Sequence, residues 1–224
     1  MDSSVRKRVT YVPEKRDLDQ MFQEHISSGI NFSRYNAIHV NVSGSDVPPK
    51  ISRFEEAGLS PQVLANIRRL EYFEPTPIQQ HAIPIVHAER DAMACAQTGC
   101  GKTAAFLLPI LEWILAHKNN GQRNMNQPYA LIIAPTRELA KQICDEGKKF
   151  SAGTGVGCAE VYGQVSVQYQ LSQMQMYGCD IVAGTIGRLL DVVGRQKKLR
   201  LNNLKFLVLD EADRMLGKTW FSLE

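Results

Sequence analysis

The residues best equipped for chemistry form one short run, Ala96-Gln97-Thr98-Gly99-Cys100-Gly101-Lys102-Thr103. Glycines at this spacing let consecutive backbone N–H groups converge on phosphate oxygens, because a residue without Cβ turns tightly and tolerates close approach. A helix opening at Gly101 adds the favourable end of its dipole. In such a loop Lys102 neutralises β- and γ-phosphates, and the Thr103 hydroxyl ligates Mg²⁺. The general pattern opens on Gly, and here Ala96 stands in that place. A chance Gly-x-Gly-Lys-Thr in an ordinary loop is the plain alternative. What flanks the run argues against it: an apolar strand pattern over 92–96 and a helical pattern over 101–117.

A second group, Asp210-Glu211-Ala212-Asp213, ends the apolar run Phe206, Leu207, Val208, Leu209. An Asp at the tip of a buried strand can orient Mg²⁺ through water, and a neighbouring Glu can accept a proton from an attacking water. Alone, the tetrad also reads as acids decorating a helix N-terminus. Together with the upstream loop on a matching strand it points to one phosphate site. Lys102, Asp210 and Glu211 are then the candidate catalytic residues, and Thr103 and Asp210 the candidate metal ligands.

Such a site needs a scaffold that brings distant strand ends together. Ser60-Pro61 predicts a helix start running to residue 70, and Thr76-Pro77 opens another that Pro84 closes or kinks. Strand patterns at 92–96, 129–134, 159–162, 180–183 and 205–210 alternate with helical stretches, including one over 137–150. Strands apolar on both faces, alternating with helices, indicate an α/β fold: a parallel β-sheet flanked by helices on both faces. Residues 1–50 read as an N-terminal extension and 51–224 as the domain. The extension carries Arg6, Lys7 and Arg8, an amphipathic segment at 18–26, and a Gly, Ser and Pro-rich joint at 43–49. The basic trio suits a solvated tail or a direct phosphate contact. Residues 118–127 form a polar surface loop.

Composition narrows the setting. The 224 residues carry a formal net charge of +3, which alone neither demands nor excludes nucleic acid, so any such contact must come from local placement of charge. Five cysteines lack framework or metal-ligand spacing, which fits reduced thiols in a cytosolic or nuclear protein. No apolar run is long enough to span a bilayer, and the basic, polar start is no signal peptide, so no membrane partner is expected.

The tetrad and the loop, with its leading Ala, resemble those of the DEAD-box ATP-dependent RNA helicases. EYFEPTPIQ at 71–79 looks like that family's Q motif, and Phe54 lies seventeen residues before Glu71, where the family has an isolated aromatic. PTRELA at 135–140, Gly163-Gln164 and Thr185-Ile186-Gly187-Arg188 fill the remaining motif slots in order. The likeness runs from about Tyr11 to Leu216. It is closest to the Vasa-like germline branch, including Ser28-Gly29-Ile30-Asn31-Phe32-Ser33 and Ser43-Gly44-Ser45-Asp46-Val47-Pro48.

The resemblance implies the first of two RecA-like halves. It implies ATP and Mg²⁺ as ligands, held by Phe54, Tyr72, Gln79 and the loop residues Ala96, Gln97, Thr98, Gly99, Cys100, Gly101, Lys102 and Thr103. Gln79 would read the adenine edge with both ends of its amide, which offers donor and acceptor together, and Tyr72 would stack on the ring. Thr76-x-x-Gln79 is also a capping box, and the two roles are compatible. By the same likeness Pro135, Thr136, Arg137, Gly163, Gln164, Thr185, Gly187 and Arg188 would line an RNA backbone without reading its sequence. Arg137-Glu138 alone suits an ordinary surface ion pair.

Three positions depart from the family. Gln164 replaces a second Gly and should limit backbone approach to RNA. Ile186 replaces a Pro and loses a preorganised first helical turn. Cys100 stands where Ser is usual. The family's Ser-Ala-Thr motif does not follow the tetrad, and a second RecA-like half, which would supply arginine fingers, is not in this sequence. The expected function is therefore that of a helicase half: ATP–Mg and RNA binding, with hydrolysis and unwinding dependent on the missing half. A non-enzymatic RNA- or protein-binding scaffold is the rival. The branch resemblance further implies a cytoplasmic setting, perinuclear germ granules included, with germ-granule proteins and the second RecA-like domain as partners.

Overall fold

The computed structural model describes residues 11, 17–27, 40–97, 99–118 and 125–215. The basic trio, the branch-like stretch 28–33, Thr98, most of the 118–127 loop and residues 216–224 lie outside these.

Four parallel strands, β1 (Ala130–Ala134), β2 (Cys158–Val161), β3 (Ile181–Thr185) and β4 (Phe206–Leu209), form a sheet in the order β2-β3-β1-β4. β1 shows why the sheet has two covered faces. Ala130, Ile132 and Ala134 join one buried cluster, while Leu131 joins the other, as the two-residue repeat of a strand requires. The first cluster packs against α2 (Pro61–Arg69), α3 (Pro77–His87), α4 (Lys102–His117) and α5 (Arg137–Phe150). The second lies under α6 (Val167–Tyr177) and the short α7 (Ile186–Leu190), with Met174 and Leu189 reaching it. A last turn, α8 (Ala212–Met215), follows β4.

α4 is the central helix. Leu107, Leu108, Ile110, Leu111 and Ile114 are all nearly free of solvent, the mark of a helix buried on most of its circumference. α2 presents Val63 and Ile67, one turn apart, to the core, and the Asn66 amide donates to the Phe150 and Ala152 carbonyls at 2.8 Å each. Pro84 neither closes nor ends α3, which runs on to His87. A proline lacks the N–H that would reach the carbonyl four residues back. That carbonyl, on Gln80, instead accepts from Ile51 N at 3.0 Å.

At the N-terminal edge of the sheet, buried Asp180 ties several elements together. Its Oδ2 accepts from Lys118 Nζ at 2.6 Å and from Gly157 N at 2.7 Å, and its carbonyl accepts from Tyr129 N and Ala130 N. The extension also reaches the core. α1 (Leu18–Ser27) buries Met21 and Phe22, the Arg69 guanidinium lies 3.9 Å over the Phe22 ring, and Arg69 pairs with Asp19. All five cysteines are free, and no helix of the described residues is long and apolar enough to cross a membrane.

Two expectations fail. Residues 92–96 form no strand; they are largely exposed, and Met93 is 93% so. β4 is not covered on both faces either, because Leu207 and Leu209 stand exposed. The causes are linked. Strand structure is a paired state, and among the described residues β4 has a ladder only with β1. An apolar segment without a ladder neighbour cannot satisfy its backbone as a strand.

Candidate functional site

Parallel strands end on the same side of a sheet, and ligand-binding crevices in α/β folds form at those carboxyl ends. Read across the sheet order, the tips carry Gly163 and Gln164 after β2, Thr185 at the end of β3 with Gly187 beyond it, Thr136 and Arg137 after β1, and Asp210 and Glu211 after β4. Of the residues singled out in the sequence, the expected RNA contacts and the acidic pair thus fall on one edge, with the acidic pair at its end.

The phosphate loop is held at the start of α4. Gly99 and Gly101 have φ of 83° and 89°, the left-handed region that favours glycine. A Cβ on Gly101 would also lie 2.4 Å from Gln79 Nε2. Thr76 Oγ1 donates to the Cys100 carbonyl at 2.8 Å, and Gln79 Nε2 donates to the Gly101 carbonyl at 3.1 Å. Gln79 Oε1 accepts from Thr76 N at 2.9 Å, so the helix cap and the clamp on the loop are one hydrogen-bonded unit. Cys100 is buried beneath it. Lys102 Nζ donates to the Ala96 and Gln97 carbonyls, folding the loop around its own ammonium. Thr103 is half-buried in the first turn of α4.

Across from the loop, Asp210 is buried, and its Oδ1 accepts from Glu211 N at 3.0 Å. Burial raises its carboxyl above the usual range, against the downward pull of that hydrogen bond and of the Lys102 charge. Glu211 has φ of 51° and pairs with Arg214 at 2.9 Å.

Three aromatic and amide assignments are corrected in part. Tyr72 is 5% exposed, packed edge-on between Phe54 and Phe150 with centroids 6.5 and 6.0 Å away, so no ring face is left for a base. Its burial, with Glu146 nearby, pushes the phenol well above its ordinary pKa. Phe54 belongs to the same core and is itself shielded. The exposed aromatic of the segment is its neighbour Phe73, at 74%. Gln79 is fully buried, and one function of each amide end is already spent on protein backbone.

On the other three tips, Thr136 caps α5 by accepting from Leu139 N at 3.2 Å. Pro135 precedes it, half-buried, and Arg137 is exposed, its Nε donating to Glu138 at 2.7 Å and Nη1 to the Gln164 side-chain Oε1. A Cβ on Gly163 or Gly187 would meet nothing within 4 Å, so open space lies above both. Arg188 differs from its expected role. Its Nη1 donates inward to the Val165 carbonyl and Gln170 Oε1 at 2.9 Å each, and it serves as a strut between α7 and the turn after β2. Gln170, Arg214 and the Thr76 hydroxyl were not singled out as site residues. Arg214 was legible as the i+3 partner of Glu211. The cap pattern accounted for Thr76 and so hid its bond to the loop.

A family model described as DEAD/DEAH box helicase matches residues 76–222. The chain belongs to the DEAD/DEAH box helicase family. This family member is 49% identical over 212 residues to the probable ATP-dependent RNA helicase DDX4 of Pelophylax lessonae, covering 93% of the chain and 29% of that protein. It is 45% identical over 213 residues to the ATP-dependent RNA helicase vasa of Drosophila melanogaster, covering 94% of the chain and 32% of the relative. It therefore spans less than a third of the length of these curated relatives. Among solved structures it is similar to the RNA helicase Prp28 from Chaetomium thermophilum bound to ADP, with a TM-score of 0.73 and 36% identity. That match covers 93% of this chain and 48% of the Prp28 chain. The described sheet and its flanking helices are thus those of a RecA-like helicase domain.

Proposed function

We propose that this chain is the N-terminal half of an ATP-dependent RNA helicase, with residues 1–50 as an extension and 51–224 as the first RecA-like domain. Hydrolysis and unwinding would require a second such domain. The observation that carries the reading is the clamp of Thr76 and Gln79 on the phosphate loop, set against a buried Asp210 within reach of the Lys102 charge.

ATP would enter by exchange rather than insertion. Its terminal phosphates would replace the Ala96 and Gln97 carbonyls on the Lys102 ammonium. Gln79 retains one amide N–H and one carbonyl lone pair beyond those it spends, enough for a bidentate contact to adenine once the clamp opens. Phe73, rather than Tyr72, offers an exposed ring beside this segment. Mg²⁺ fits the donors present: Thr103 and Asp210 are oxygen ligands, and a cation would offset the cost of burying the Asp210 charge. Among the described residues no group of three His, Cys, Asp or Glu could hold a metal, so nucleotide phosphates would complete the shell. When bound, the ion would neutralise phosphate charge. Glu211 would orient water or take its proton.

RNA would cross the tips of β1, β3 and β2, contacting Pro135, Thr136, Arg137, Gly163, Gln164, Thr185 and Gly187 through phosphate and sugar, without base reading. Arg188 would act from behind this surface. By the branch resemblance noted in the sequence, the proposal extends to a cytoplasmic, germ-granule setting with granule proteins as partners.

Arginine fingers are worth about 10³–10⁵ in rate, and this half would lack them. The chain should therefore bind adenine nucleotide yet release negligible phosphate at saturating ATP and RNA. Covalent addition of the second half should restore RNA-stimulated hydrolysis, and Glu211→Gln should remove it while ATP stays bound. Robust turnover by the present chain, lost in Glu211→Gln, would overturn the half-enzyme reading.

A further inference from the structure

We propose that Gln164 is a positioning residue for Arg137, holding its guanidinium ready for a phosphate of single-stranded RNA. The proposal rests on the RNA reading of the strand-tip face. It reverses the expectation that a side chain at 164 merely obstructs RNA.

Gln164 adopts φ of 67°, where a residue with a Cβ is strained whatever the surrounding space. The turn that carries it does not need its side chain. Gln170 Nε2 donates to the Tyr162 carbonyl at 3.2 Å, Arg188 Nη1 donates to the Val165 carbonyl at 2.9 Å, and Tyr11 bridges to Val165. Ser166 then caps α6 by accepting from Tyr169 N. Backbone on both sides of Gln164 is thus pinned by other residues, and a glycine there would serve the fold with less strain. Among the described residues, the hydrogen bond made by the Gln164 side chain runs to Arg137 Nη1.

That bond spans the tips of β2 and β1, with the open surface over β3 between them. Arg137 is otherwise a long exposed side chain whose orientation must be paid for in rotamer entropy on binding. Glu138 takes Nε–H, Gln164 takes one N–H of Nη1, and the pair on Nη2 is engaged by neither. A neutral amide orients the guanidinium without cancelling its charge, which a second carboxylate would do.

The test measures binding of a fluorescent oligo-uridine to this chain across a salt series, together with urea unfolding. Gln164→Gly should leave stability equal or higher yet weaken binding about fivefold, the loss that goes with one net hydrogen bond. Gln164→Glu should weaken it further, because its carboxylate competes with phosphate. Arg137→Ala should lose affinity and flatten the salt dependence by about 0.7 in log–log slope. In the Arg137→Ala background, Gln164→Gly should change nothing more. If Gln164→Gly binds as tightly as wild type while Arg137→Ala loses affinity, the positioning role is wrong and the RNA face stands. Equal losses from Gln164→Gly with and without Arg137 would also overturn the role. If Arg137→Ala is neutral, or wild type shows no affinity, the RNA reading of this face fails and takes the proposal with it.

Discussion

All four strand tips rest on one continuous parallel ladder, those of β2, β3 and β1 carrying the candidate RNA contacts, whereas the phosphate loop follows a segment, 91–97, that pairs with no strand among the described residues. Val161, Val182 and Ile132 are buried beneath the first set, while Met93 is exposed beside the second. The two sides are located by different means. The sheet places the candidate RNA contacts. Side-chain hydrogen bonds from α3 place the loop, through the Cys100 and Gly101 carbonyls. A ladder has to be broken cooperatively, but a clamp of two or three bonds can be exchanged for a ligand one bond at a time. On the proposed reading the nucleotide side would be the one to rearrange, and it is built from the exchangeable kind of contact.

The largest effect should come from undermining the ladder side at its base. Asp180→Ala leaves Lys118 partly buried without its carboxylate and frees Gly157 N, and loss of one partner of a buried pair costs about 3–5 kcal/mol. Urea unfolding should show that loss, and a change below about 1 kcal/mol would mean that surface pairs of ordinary weight hold this edge. Next comes the clamp. Gln79→Ala strands the Thr76 N–H and the Gly101 carbonyl, at a cost of about 1–3 kcal/mol, and should also narrow the preference for ATP over GTP in calorimetry. A loss of stability with nucleotide preference intact would assign Gln79 to the loop alone. Met93→Ser probes the unpaired segment and should move stability by no more than about 0.5 kcal/mol. A larger loss would show that 91–97 is packed in solution, and the contrast between the two sides would vanish.

The same contrast explains what the sequence made legible. Helix starts at Pro61 and Pro77 and strands such as β1 were readable because caps and apolar runs are local signals. The phosphate loop and the acidic tetrad were readable because their residue types and flanks together leave few alternatives. The exposed state of 92–96 was not, since an apolar run is equally a strand or an unpaired segment until its neighbour is known. Nor was the burial of Tyr72. The sequence offers Tyr72 and Phe73 side by side, and which ring turns inward is decided by the Phe54 and Phe150 rings that pack against Tyr72 from elsewhere in the chain. Arg188 shows the remaining limit. Whether a guanidinium faces ligand or strut depends on a carbonyl twenty-three residues away.

The smallest effect sharpens the comparison from the ladder side, which is not free of cost. Glu160 on edge strand β2 has Oε1 accepting from the Tyr162 hydroxyl at 3.1 Å, while its Oε2 is buried with no hydrogen-bond partner among the described residues. Desolvation raises its carboxyl pKa above the ordinary value and outweighs the opposing pull of Lys148, the Tyr162 hydroxyl and Lys141, with Asp145 adding to the rise. A raised acid pKa means that the folded state binds the proton more tightly than the unfolded chain. The stabilisation is complete below the unfolded carboxyl pKa and is lost as pH climbs through the folded one. Glu160→Gln, neutral at every pH, should remove this contribution. Its stability relative to wild type should therefore improve from about pH 4 to pH 7, as read from urea midpoints at constant m. A difference between the two proteins that stays flat over that range would mean that Glu160 is solvated in the folded state. The edge strand would then be as open to water as the segment across the sheet.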